Sequence, residues 1–159
     1  MALAAADDVA TEVDLFDSAS ERALFNERTV LLAEDNPVNQ EVARELLAAL
    51  GFDVSVASDG QSALQSFLAH KPDVVLMDCQ MPVLDGYAAT RAIRDAEVRS
   101  GARRTPIVAL TGNALSGDRE RCLASGMDDF IGKPFQTSEL ARVLNRWLAA
   151  SRQGNNLPH

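Results

Sequence analysis

The sequence is sparing in several residue types and patterns, and each shortage excludes something. Only two cysteines occur, Cys79 and Cys122. They lack metal-ligand spacing and cannot build a disulfide framework, so a reducing cytoplasm is expected. No run approaches 18 apolar residues, which excludes a transmembrane helix. The opening MALAAADDVATEVD has no basic segment and turns acidic at once, unlike a signal peptide. There is no Asn-x-Ser/Thr sequon, no Gly-x-Ser-x-Gly elbow, and no Gly-x-Gly-x-x-Gly after the first strand, so a Rossmann dehydrogenase lacks support. Positive charge is scarce too. Residues 1–27 carry seven acids against one base, net −6, and residues 28–159 carry sixteen against fourteen, net −2. Neither part offers the basic face that phosphate backbones require, so direct nucleic-acid binding is not expected.

What is present is the composition of an ordinary soluble domain, 47% hydrophobic and 24% charged over 159 residues. Residues 1–27 read as an acidic flexible linker or arm, with a possible short helix over Ser20 to Asn26. Beyond them, short apolar runs alternate with helical patterns. Val30–Ala33, Val74–Met77 and Ile107–Leu110 read as buried strands, Asp53–Val56 as a strand with one covered face, and Met127–Ile131 as a short mixed one. Asn36-Pro37 opens a helix marked by Val38, Val42, Leu46 and Leu50 and stopped by Gly51. Ala63, Leu64, Phe67 and Leu68 mark a second helix, Tyr87 to Arg99 a third, Asp118 to Ser125 a fourth. A last helix, capped by Thr137, carries Leu140, Val143, Leu144, Trp147 and Leu148 inward. Five β-α repeats predict a parallel sheet with helices on both faces, a doubly wound (βα)5 sandwich. The second and fifth strands have the weakest apolar runs and belong at the edges, which gives the flavodoxin-like order 2-1-3-4-5.

In such sheets ligands sit at the carboxyl ends of the strands. There the sequence places Glu34 and Asp35, Asp78, Thr111 and Lys133. Taken singly, each has an ordinary explanation: paired acids cap helices, Asp78 and Thr111 suit turns, and Lys133 suits a surface. Lysine is rare here, two against thirteen arginines, and a slim point charge fits a small pocket better than a guanidinium. Three converging carboxylates repel unless a cation joins them. All-oxygen ligation suits Mg²⁺, with Mn²⁺ possible. Metal, hydroxyl and ammonium together form a pocket for a phosphoryl group, and a carboxylate can act as its nucleophile.

The segments LLAEDNPVNQ, DVVLMDCQMPVLDG, TPIVALTG and DDFIGKPF resemble those of receiver domains of two-component signalling. The resemblance covers about residues 28–150 and is strongest to receivers attached to hybrid sensor histidine kinases; residues 151–159 are left as a tail. It implies that Asp78 accepts a phosphoryl group from phosphohistidine, catalysing only its own phosphorylation and dephosphorylation. Asp35, Asp78 and the Gln80 carbonyl would ligate Mg²⁺, with help from Glu34. Lys133 would pair with Asp78 and then with the phosphoryl oxygens, and Thr111 would swing to bond them. Phe130 would be the switching aromatic, without the hydroxyl of the more usual tyrosine. The peptide bond before Pro134 would be cis, and Gln80 and Asn113 would tune hydrolysis of the acyl phosphate. A histidine kinase or histidine phosphotransfer domain would dock around Val38, Asn39, Val42 and Pro134.

Two other functions compete. An aspartate-nucleophile phosphatase needs a second acid two residues after the first, where this chain has Gln80. A vestigial interaction module would not need all five site residues. The resemblance leaves a stand-alone receiver or a piece of a hybrid kinase, and the linker-like first 27 residues favour the piece, cytoplasmic but tethered to a membrane kinase in the parent chain and not itself touching the membrane.

Overall fold

The computed structural model describes residues 25–112, 118–134 and 136–152. Within them lie β1 (Thr29–Ala33), α1 (Pro37–Ala49), β2 (Asp53–Ala57), α2 (Gly60–His70), β3 (Val74–Asp78), α3 (Gly86–Ser100), β4 (Ile107–Thr111), α4 (Asp118–Ser125), β5 (Asp129–Gly132) and α5 (Thr137–Arg152). The strands form one sheet of order β2-β1-β3-β4-β5, every pairing parallel. This is the flavodoxin-like arrangement that the alternation predicts. Its edges are β2 and β5, the least buried strands, while β3 and β4 are buried at every position.

The period of two in a strand divides the core into two layers. Val30, Leu32, Val74, Leu76, Val108 and Leu110 face α1 and α5. Leu31, Ala33, Val75, Met77, Ile107 and Ala109 face α2, α3 and α4. Continuous apolar runs are therefore required in the central strands, because both faces of the sheet are covered.

Asn36 caps α1 as expected, its side-chain oxygen accepting from the Val38 and Asn39 amides, with Pro37 at the first helical position. Asp59 and Asp85 cap α2 and α3 in the same way. The inward face of α1 differs from the four-residue stripe. Ala43 and Leu47 are buried, while Val38 and Val42 are 70% and 48% exposed. A step of four residues advances about 40° beyond a full turn. The stripe thus winds from solvent at Val38, through half-buried Leu46, to buried Leu50. β5 also begins later than the apolar pattern suggests, at Asp129. Asp128 is taken up otherwise: its carboxylate accepts from the Ile107 amide and pairs with Arg94 and Arg104, which ties the entry of β5 to that of β4.

Phe25, inside the expected linker, is fully buried and stacks on Phe52 with ring centroids 4.7 Å apart. It joins the α1/α5 layer beside Leu47 and Leu50. Trp147 is half-buried at the edge of that layer, its indole N–H donating to Asp129. No helix among the described residues is long and apolar enough to cross a membrane. Because a buried aromatic contributes several kcal/mol when truncated to alanine, Phe25→Ala is expected to destabilise the domain by about 3 kcal/mol in urea unfolding. A change below about 0.5 kcal/mol would mean that Phe25 is dispensable.

Candidate functional site

The backbone ladder continues past the strand ends, and this fixes the residues that follow them. The Glu34 amide donates to the Ala57 carbonyl (3.0 Å), Cys79 to Leu110 (3.2 Å) and Lys133 to Thr111 (2.8 Å). Two close approaches hold the loop after Asp78. A Cβ on Gly86 would fall 2.1 Å from the Asp78 carbonyl oxygen, and one on Gly60 would fall 1.9 Å from that of Leu84. Only glycine fits at either position.

These constraints bring Glu34, Asp35, Asp78, Gln80, Thr111 and Lys133 around one cleft of about 400 Å³, with Asn39 and Gly112 on its wall. Carboxylate oxygens of Glu34, Asp35 and Asp78 lie within 4.8 Å of one another. The Lys133 amine sits between two of them, 3.0 Å from Glu34 Oε1 and 3.3 Å from Asp78 Oδ2. Glu34 Oε2 accepts from the Asn36 amide (3.2 Å) and the Asn39 side chain (3.5 Å). Asp78 Oδ1 accepts from the Gln80 amide (3.2 Å). Asp35 is exposed and forms no hydrogen bond or ion pair among the described residues.

Glu34 and Asp78 are almost fully buried. Burial pushes the Asp78 carboxyl up to about 6, and the Glu34 charge adds to this, while the Gln80 amide and Lys133 oppose it. Burial works against the charge of Lys133, but the Glu34 hydrogen bond and the charges of Asp78 and Glu34 outweigh it and raise its pKa. The cleft therefore holds three acids against one ammonium, and Asp78 carries much of the strain.

Val38, Val42, Phe130 and Pro134 are not among the residues that line this cleft. The Lys133–Pro134 peptide bond is cis and Pro134 is exposed. Val38 and Val42 stand exposed on α1. Phe130 is half-buried on β5 outside the cleft, with the Arg119 guanidinium 4.6 Å from its ring centroid. Asn113 lies outside the described residues. Gln40 was not among the expected residues; its side chain donates to the Glu34 carbonyl (2.5 Å) and to Ser58 (3.1 Å) and so ties α1 to two strand ends. Its polarity at an inward position of α1 was the available signal.

The raised Asp78 pKa has a consequence for stability. The folded state binds this proton more tightly than the unfolded state, so ionisation of Asp78 above pH 6 costs stability, and the cost vanishes below about pH 4. In metal-free buffer, Asp78→Asn is expected to be about 2 kcal/mol more stable than the parent at pH 7.5. The two should converge near pH 4. Thermal denaturation across this range reads the difference; equal stability at pH 7.5 would contradict the charge conflict.

The family model for the response regulator receiver domain matches residues 30–145. Hybrid signal transduction histidine kinase I of Dictyostelium discoideum is 44% identical over 121 residues, which are 73% of this chain and 7% of that protein. Among solved structures, the receiver domain of sensor histidine kinase PA1611 from Pseudomonas aeruginosa PAO1, with a magnesium ion coordinated in its active-site cleft, is 49% identical (TM-score 0.70; 77% of this chain, 98% of that one). The receiver domain of Ssk1, in complex with the histidine phosphotransfer protein Ypd1 of Saccharomyces cerevisiae, is 29% identical (TM-score 0.75; 79% and 92%). The chain spans under a fifth of the length of the curated relatives it matches. With the five-stranded fold, the shared cleft and these matches in agreement, the chain belongs to the response regulator receiver domain family.

Proposed function

We propose that the domain accepts a phosphoryl group from a phosphohistidine onto Asp78, in a reaction that needs a divalent cation, and serves as a receiver within a phosphorelay. The observation that carries this reading is the convergence of three carboxylates within 4.8 Å, with the Lys133 amine 3.3 Å from Asp78. The donor set fits Mg²⁺, or Mn²⁺ in its place: all ligands are oxygens, and Asp35 has no other partner among the described residues. Asp35, Asp78 and the Gln80 carbonyl would hold the ion, with Glu34 beside it, and it would supply positive charge to the oxygens of the group in transfer.

Asp78 is the nucleophile. One of its oxygens forms the bond to phosphorus as the nitrogen–phosphorus bond of phosphohistidine breaks, and the imidazole leaves with the electron pair. At neutral pH Asp78 is mostly ionised, because its pKa of about 6 lies below ambient. Lys133 then turns from Glu34 to the phosphoryl oxygens, and Thr111 bonds another of them. Gln80 and Asn113 set how fast water reaches the acyl phosphate.

Exposed Val38 and Val42, with Asn39 and Pro134, form the surface for a histidine kinase or histidine phosphotransfer domain. The parent protein is a hybrid sensor histidine kinase acting in the cytoplasm, with residues 1–27 as linker, 28–150 as receiver and 151–159 as tail. Identity of 44% over 121 residues to a hybrid signal transduction histidine kinase supports this.

Acetyl phosphate with Mg²⁺ is expected to label the chain on a single carboxylate. Asp78→Asn and chelation of the metal should each abolish labelling, and Lys133→Ala should slow it about 100-fold. Full labelling of the Asp78→Asn variant would overturn the site. Val42→Asp is expected to slow transfer from a phosphohistidine partner about tenfold, with labelling by acetyl phosphate unchanged, since only the former needs the α1 face.

A further inference from the structure

Helix α4 meets the site through side-chain contacts of an unusual kind. The Arg119 guanidinium lies over the Phe130 ring at 4.6 Å, and that of Arg121 over the Tyr87 ring at 4.1 Å. Neither arginine makes an ion pair among the described residues, and both are exposed. From the buried side of α4, Cys122 Sγ approaches Cys79 Sγ at 3.6 Å. All three contacts lead to the chemistry. Cys79 follows Asp78, Tyr87 follows Gly86, whose amide bonds the Cys79 carbonyl, and Phe130 lies three residues before Lys133.

One of these contacts, that with Phe130, lies on the strand that leads to Lys133. Lys133 is 3.0 Å from Glu34 and 3.3 Å from Asp78. A phosphoryl group on Asp78 puts three oxygens into that space, so the amine must leave Glu34. Lys133 is joined through its amide to Thr111 and through two residues to Phe130. A shift of the backbone at the end of β5 would therefore be passed to the Phe130 ring. This ring has no hydroxyl, so its π-face is what a neighbour can hold.

We propose that Arg119 is a positioning residue whose seat on Phe130 stabilises the arrangement of α4 and β5 that precedes phosphorylation, and so restrains phosphorylation of Asp78. This rests on the phosphoryl-acceptor reading above. A cation over an exposed ring shifts an equilibrium by about two- to fivefold, and the fraction of chains ready to react changes by the same factor.

The test is the time course of labelling of the full chain by acetyl phosphate with Mg²⁺. Arg119→Ala and Phe130→Leu are each expected to label about two- to fivefold faster than the parent. The Phe130 variant keeps the arginine charge, so it separates loss of the ring contact from a change in net charge. Arg119→Lys, which keeps a cation over the ring, should label at the parent rate. The double variant Arg119→Ala/Phe130→Leu should be no faster than the faster single one, because both remove the same contact. Labelling of Arg119→Ala at or below the parent rate overturns the proposal, and so do single effects that multiply in the double variant. Failure of the parent chain to label on Asp78 would instead overturn the phosphoryl-acceptor reading, and this inference with it.

Discussion

The structure turns on one electrostatic conflict: three carboxylates share the carboxyl end of a sheet with a single ammonium. In a partly desolvated cleft, like charges this close are far more costly than in water. The Lys133 amine divides itself between Glu34 and Asp78 and settles part of the conflict, while exposed Asp35 has no partner among the described residues. A site with a surplus of negative charge and a mobile cation is primed for a small divalent ion, and then for a group bearing oxygens that Lys133 can follow.

The fold holds this arrangement against its own repulsion. Two apolar layers cover the sheet, and main-chain hydrogen bonds persist one residue beyond the strands, at Glu34, Cys79 and Lys133. The reactive groups are thus borne on hydrogen-bonded strand ends. α4 is attached differently. Two guanidinium–ring contacts and a sulfur–sulfur contact link it to the site. Such contacts are shallower than the hydrogen bonds of a ladder.

Much of this was legible in the residues. Three continuous apolar runs marked the doubly covered strands, weak runs marked the edges, and Asn36-Pro37 marked a helix start because capping chemistry is local. The cleft followed, since strand order fixes which loops meet. What escaped was whatever tertiary packing decides. The Val38–Leu50 stripe resembled a core face, but its period precesses around the helix, and its first half stays in solvent. Phe25 lay in an acidic stretch with only Leu24 as an apolar companion and no strand or helix period, so nothing local revealed its stacking on Phe52. Arg119 looked like any helical cation, and Gln40 like any polar one, because the partners of both come from distant segments.

Phe25 and Phe52 also settle an issue of access. They lie where the strands begin, while the cleft opens where they finish, one strand length or about 16 Å away. The first described residues therefore sit at the pole opposite to the reactive one. A bulky donor can approach the acidic mouth head-on without colliding with them.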